Sequence, residues 1–255
     1  MNEKEFAVDE IIARYTACQG AALTRLMHEM QTLGPRISFT ARGRKLGLFT
    51  NLRRITAATA FPEHRHDFFE LSFILEGAGR HRIDNLTYPV AQGDIFFLNH
   101  ERPHRYVLAP GERLTILNFA FMPEYLEQAL TFEKLQGQVQ FFLLEPFFRS
   151  INDLDVRLRL TGNPFFRAMT LGLFILDEFN HCYPAASELA PLCFKAFIML
   201  IVGEYEKRLA TRPGLSARRE AVFREVLSFI NGRVSEEMSL ETISAAVGLG
   251  RTRLT

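Results

Sequence analysis

The chain has 255 residues, 47% of them apolar and 23% charged, and a formal net charge of +1. That supplies a folded core and excludes a global field drawing the molecule to nucleic acid or membrane, leaving only a local patch for DNA. Cys18, Cys182 and Cys193 lack metal or redox spacing, the N-terminus is acidic with no apolar segment behind it, and no uncharged apolar stretch reaches ~18 residues, so a cytoplasmic protein with no membrane partner is expected.

Taken in chain order, residues 3–33 read as one or two helices. Val8, Ile11, Ile12, Tyr15, Leu23, Leu26, Met27, Met30 and Leu33 recur at helical spacing, and Gly34-Pro35 is a stop. From 36 to about 121 the texture becomes short β-branched and aromatic runs (RISFT, RRITAAT, FELSFIL, RHRID, DIFFL, HRYVL, LTILNFAF) punctuated by Gly, Pro, Asn or Asp. Many short strands at close spacing predict a sandwich or barrel. Beyond Pro123 the pattern is helical again, with one stripe at Phe165, Met169, Gly172, Leu173 and Leu176 and another at Cys193, Phe197, Leu200 and Ile201. Residues 196–202, AFIMLIV, are apolar on all sides, so this helix needs cover on more than one face, from the β domain or from a second copy of the chain.

Residues 210–220, ATRPGLSARRE, read as a linker. Val222, Phe223, Val226, Leu227 and Ile230 then mark an amphipathic helix ended by Asn231-Gly232, and Ser239 caps a second helix that stops at Gly248. A turn and the start of a third helix follow. This is a helix-turn-helix pattern, which an ordinary helical hairpin shares. Arg251, Thr252 and Arg253 stand where a recognition helix would meet base edges or phosphates.

The segment EHRHDFFELSFILEG, residues 63–77, carries the candidate chemistry. Alternate residues of a strand share a face, so His64, His66, Glu70 and Ser72 lie together if the strand is unbroken, with Phe69, Leu71, Phe73 and Leu75 opposite. Gly93-Asp94 and, further on, Pro103-His104 form a second cluster. Three imidazoles and a carboxylate suit a transition-metal ion, a polar pocket for a small molecule, or a hydrogen-bonded barrel rim. His28, His81, His100 and His181 fit neither cluster and read as surface or capping residues.

His64, His66, Glu70 and Gly77 resemble the first motif of the cupin barrel, and Gly93 and His104 resemble the second in spacing. Ala58 replaces a usual Gly, Asn99 and Glu101 replace a Pro and a Gly, and Leu108 replaces an Asn. In cupin enzymes the matching three His and one Glu bind iron, manganese or zinc. The weakened second motif favours a ligand pocket, so no metal, cofactor or catalytic residue is assigned.

A cupin-like region, helical connector, linker and helix-turn-helix in that order resemble the AraC/XylS-type bacterial transcription regulators, especially their sugar-responsive branch, which includes the rhamnose regulators. The resemblance spans about 36–255. It implies an α+β fold: an N-terminal cupin-like β-barrel with a helical dimerisation segment and a partial helix-turn-helix at the C-terminus. The expected parts are a helical extension (1–35), an effector-binding barrel (36–123), a helical connector (124–209), the linker (210–220) and a truncated DNA-binding module (221–255). His64, His66, Glu70 and His104 would bind a small-molecule effector such as a sugar. Arg251, Thr252 and Arg253 would serve DNA, and the operator is a partner of the complete protein. A homodimer and no enzymatic activity are expected, and a metal-dependent cupin enzyme (dioxygenase or sugar isomerase) is the rival reading.

Overall fold

The computed structural model describes residues 30–98, 102–122, 125, 157–181 and 186–210. The helices expected before residue 30, the linker beyond Ala210, the helix-turn-helix with Arg251, Thr252 and Arg253, and Asn99, His28 and His100 lie outside the described residues. The chain divides into two compact units, Met1–Thr131 with Arg157–Leu200, and Phe132–Val156 with Ile201–Thr255. The second contributes only residues 201–210 to the described part, where Lys207 pairs with Glu204.

The first unit opens with a hairpin of β1 (Met30–Leu33) and β2 (Arg36–Phe39), followed by a short helix α1 (Ala41–Leu46). Strands β3 (Leu48–Thr56), β4 (Arg65–His66), β5 (Phe69–Ile83), β6 (Leu86–Ala91), β7 (Asp94–Leu98), β8 (His104–Val107), β9 (Arg113–Phe121) and β10 (Arg157–Arg159) follow. Two helices come last, α2 (Gly162–His181) and α3 (Ala186–Ala210). The main sheet runs β10-β7-β5-β9-β3, with β6 and β8 paired to the far half of β5; β1-β2-β4 form a separate sheet. The cupin-like β region read from the sequence is thus present, although no strand pairing among the described residues closes the barrel.

Met30 and Leu33 were expected at the end of a helix. Their spacing of three fits that reading, but Gly34 takes φ 61° and turns the chain into a hairpin, so 30–33 pair with 36–39 instead. FELSFIL and RHRID, expected as separate strands, are one 15-residue strand with a β-bulge between Ile74 and Glu76. The bulge bends β5, so that its first half pairs with β7 and β9 and its second with β6 and β8.

The main sheet has two unlike faces. Leu71, Phe73, Leu117, Phe119 and Phe121 are fully buried on one of them. Rings from the helices meet that face: Phe165 with Phe73 at 5.5 Å, Phe197 with Phe119 at 4.8 Å, and Phe194 with Phe121 at 5.2 Å. Such pairs contribute about 0.5–1.5 kcal/mol each beyond their burial. Within AFIMLIV, Phe197 and Ile198 are buried while Ala196 and Met199 are exposed, so the described structure covers only part of that helix. The opposite, inward face carries the polar residues.

Candidate ligand-binding site

Glu70 pairs with Ala120 and Ser72 with Asn118, and Asn118 in turn faces Asn51 across β9 and β3. These side chains share the inward face, because alternate residues of paired strands line up. The Ser72 hydroxyl bridges Glu70 and Asn118, lying 2.9 Å from Glu70 Oε1 and 2.8 Å from Asn118 Oδ1. Asn51 Oδ1 is buried without a hydrogen-bond partner.

The histidines arrive by other means than one unbroken strand. Residues 67 and 68 interrupt the run after β4. His66 is held by the parallel pairing of β4 with β2, and His64 by an isolated antiparallel bridge to His104. His66 and His104 are buried, and His64 is half-buried. The structure therefore brings together all four expected ligand-binding residues: His64, His66, Glu70 and His104.

Each of the three rings uses Nδ1 on a nearby backbone carbonyl: His64 on Pro62 at 2.9 Å, His66 on Phe68 at 2.7 Å, and His104 on Arg102 at 3.1 Å. A carbonyl only accepts, so each Nδ1 carries a proton and donates it. Nε2 of His66 lies 3.1 Å from Glu70 Oε2, and Nε2 of His104 lies 3.6 Å from the same oxygen. A neutral ring in this tautomer turns a lone pair toward the carboxylate. The contact becomes favourable when an imidazole carries its second proton or when a cation lies between the two groups.

Burial alone would push the Glu70 carboxyl up. The hydrogen bonds and charges of His104 and His66 outweigh it and hold Glu70 well below the usual carboxylate range. The opposite balance holds at His64, where burial, then the neighbouring His104, lowers the imidazole to about 4. One ligand atom from each of His64, Glu70 and His104 lies within 4.8 Å of the others. These donors fit a divalent iron, zinc or manganese ion, and the carbonyls on each Nδ1 would orient the rings toward it.

His81 corrects an expectation. Read as a surface or capping residue, it is fully buried, stacked on Tyr106 at 4.1 Å and edge-on to Phe96 at 4.6 Å. The bulge after Ile74 is the reason, because one extra residue reverses which parity faces inward. Asn51, Asn118 and Tyr106 were also missed. Asn118 had a readable signal: it is the sole amide in LTILNFAF, on the parity opposite the core phenylalanines.

The second cluster is ordered by Gly93-Asp94. Gly93 has φ 86°, and a β-carbon there would stand 2.1 Å from the Leu160 carbonyl oxygen. Asp94, wholly buried, accepts from Arg159 Nε at 2.7 Å, Arg159 Nη2 at 2.9 Å and the Ala91 amide at 2.8 Å.

Residues 49–153 match the family described as AraC-like ligand binding domain. The HTH-type transcriptional activator RhaR of Shigella dysenteriae serotype 1 (strain Sd197) is 28% identical over 149 residues, covering 55% of this chain and 46% of the relative. The RhaR of Escherichia coli (strain K12) is also 28% identical over 149 residues, with the same coverage. The chain thus spans about half the length of the curated relatives it matches. Among solved structures, a cupin protein from Bacteroides fragilis is 20% identical, with a TM-score of 0.28, over 30% of this chain and 67% of that one. A cupin 2 conserved barrel domain protein from Salinispora arenicola CNS-205 is 16% identical, with a TM-score of 0.29, over 32% of this chain and 69% of that one. Among the described residues no helix is long and apolar enough to cross a membrane. By its matched residues and its curated relatives, the chain is similar to the AraC-like ligand-binding domain and to the HTH-type transcriptional activator RhaR.

Proposed function

We propose that this chain is the effector-sensing part of a cytoplasmic transcription regulator, and that its inward face binds a sugar or a similar small polyhydroxy molecule. The observation that carries the reading is the buried, ionised Glu70 set among imidazoles, Ser72 and Asn118 on the face away from the helices. The Glu70 carboxylate and the Nε2 lone pair of neutral His64 accept from hydroxyls, and aromatic rings nearby take the apolar edges of a sugar. In the complete protein Arg251, Thr252 and Arg253 would face an operator. The ligand would act by favouring one arrangement of the DNA modules, a coupling commonly worth about 1–3 kcal/mol.

The test is thermal melting against a panel of pentoses, hexoses and sugar alcohols. A binder present at ~100 times its Kd stabilises by about 2.7 kcal/mol, and Glu70→Ala is expected to abolish that gain. If no sugar or polyol shifts the wild type, or if the mutant responds equally, the assignment fails.

A metal-dependent cupin enzyme is the second reading, favoured by the close approach of His64, Glu70 and His104 donor atoms. His64, His66, Glu70 and His104 would then hold the ion, which would supply Lewis-acid or redox chemistry. Elemental analysis separates the two. Substoichiometric metal is expected for the sensor, whereas a full equivalent lost on His66→Ala would favour the enzyme.

We also propose that the chain works as a homodimer paired through α3. Leu189, Leu192 and Met199 are exposed on α3, and their spacing puts them on one face of the helix. A second copy offers the same stripe, which suits a self-complementary contact. Leu192→Glu is expected to yield monomer in analytical ultracentrifugation, and a wild type that sediments as monomer at micromolar concentration would overturn the pairing.

A further inference from the structure

His81 stands out as a buried polar side chain with both ring nitrogens, Nδ1 and Nε2, lacking a hydrogen-bond partner. The ring is not loosely placed. Tyr106 stacks on it with an interplanar angle of 18°, Phe96 meets it edge-on at 79°, and the His104 ring lies 5.5 Å away at 77°. A histidine packed this way spends burial on two polar atoms that a phenylalanine of similar shape would not carry.

We infer that His81 is a ligand-contacting, specificity-determining residue of the inward-facing site, offering one N–H donor and one lone pair to adjacent hydroxyls of a neutral polyhydroxy ligand. This rests on the proposed sensor reading and narrows its ligand class. The ring is wholly enclosed between Tyr106 and Phe96, which disfavours a charge on it, and a neutral imidazole holds both a donor and an acceptor. A hydroxyl accepts and donates, and it can satisfy either nitrogen. A carboxylate or phosphate only accepts, and it would also face the ionised Glu70. An ammonium only donates. The His81–Tyr106 stack fixes the ring plane, so the direction of both nitrogens is set before a ligand arrives.

The experiment compares wild type, His81→Phe and His81→Gln by calorimetric melting, alone and with L-rhamnose or D-mannitol at millimolar concentration. Without sugar, His81→Phe is expected to melt higher than wild type by about 2–4 °C, since it keeps the stack and removes two unpaired polar atoms. With sugar, the wild-type shift should vanish in His81→Phe and survive in part in His81→Gln, whose amide retains a donor and an acceptor. In the wild type, 15N-labelled histidine NMR should show the His81 ring nitrogens moving on sugar addition. A full shift in His81→Phe, or unmoved ring nitrogens, overturns the His81 assignment and leaves the sensor reading standing. A lower melting point of sugar-free His81→Phe also overturns it, because the nitrogens would then be bonded in the resting protein. A wild type indifferent to both probes overturns the polyhydroxy class itself, and this inference falls with it.

Discussion

Replacing Gly77 by alanine is expected to destabilise the protein by about 3 kcal/mol or more, enough to lower its melting point by roughly 6 °C or beyond. Gly77 has φ 90°, where an L side chain is strained in any surroundings. The added β-carbon would also stand 1.9 Å from the Arg113 carbonyl oxygen and 2.9 Å from its carbon. Both atoms are backbone of the paired strand, so no rotamer change relieves the clash. The strands must separate at the Gly77–Leu114 pair, next to the bulge that aims the second half of β5. Gly111 is the internal control. It has φ 86° but nothing within 4 Å of its would-be β-carbon, so Gly111→Ala should cost only backbone strain, about 1 kcal/mol. Urea denaturation of the two variants gives the comparison. Equal losses at both positions would show that strand contact at Gly77 contributes nothing.

The same bulge explains what could and could not be read from the residues alone. His64, His66, Glu70 and His104 were legible because their spacing resembles a known motif and because Glu70 and Ser72 obey simple alternation. The alternation reached the correct side for His66 although the strand breaks at residues 67 and 68, and β4 pairs with β2 rather than continuing β5. His81 was illegible for a physical reason. Counting by twos from Glu70 sends residue 81 to the core face with Phe73, and only the extra residue at the bulge returns it inward. The burial of Gly79, His81 and Ile83, with exposed Arg80 between, follows the shifted parity. The first strand of the hairpin, 30–33, was misread because Met30 and Leu33 satisfy a helical period over too few residues to distinguish it from a strand, whereas its partner in RISFT was read as a strand. The pairing of β10 with β7 was beyond reach altogether, since Arg159 and Asp94 are 65 residues apart in sequence.

That distant contact underlies the other large effect, for Asp94→Ala. Asp94 is fully buried, and its carboxylate accepts from both Nε and Nη2 of Arg159 and from the Ala91 amide. The two side chains sit opposite each other in the β10–β7 register. Breaking a buried pair commonly costs about 3–5 kcal/mol, chiefly because the remaining charge is stranded. Here Arg159 is 44% exposed and recovers water, which places the expected loss near the lower end, at about 3 kcal/mol. The Ala91 amide, by contrast, loses its acceptor inside the turn between β6 and β7. Asp94→Asn separates these two contributions. It keeps an oxygen for Ala91 and gives up the ionic bond to Arg159, so it should fall between wild type and Asp94→Ala. Arg159→Ala strands the buried carboxylate, so it is expected to cost more than Asp94→Asn despite lying at the exposed end of the pair. Chemical denaturation of the three variants checks the order. If Arg159→Ala proves the mildest, the Asp94 carboxylate is satisfied without its partner. The strand that carries Phe96 to the face of His81 would then be held by its sheet hydrogen bonds alone.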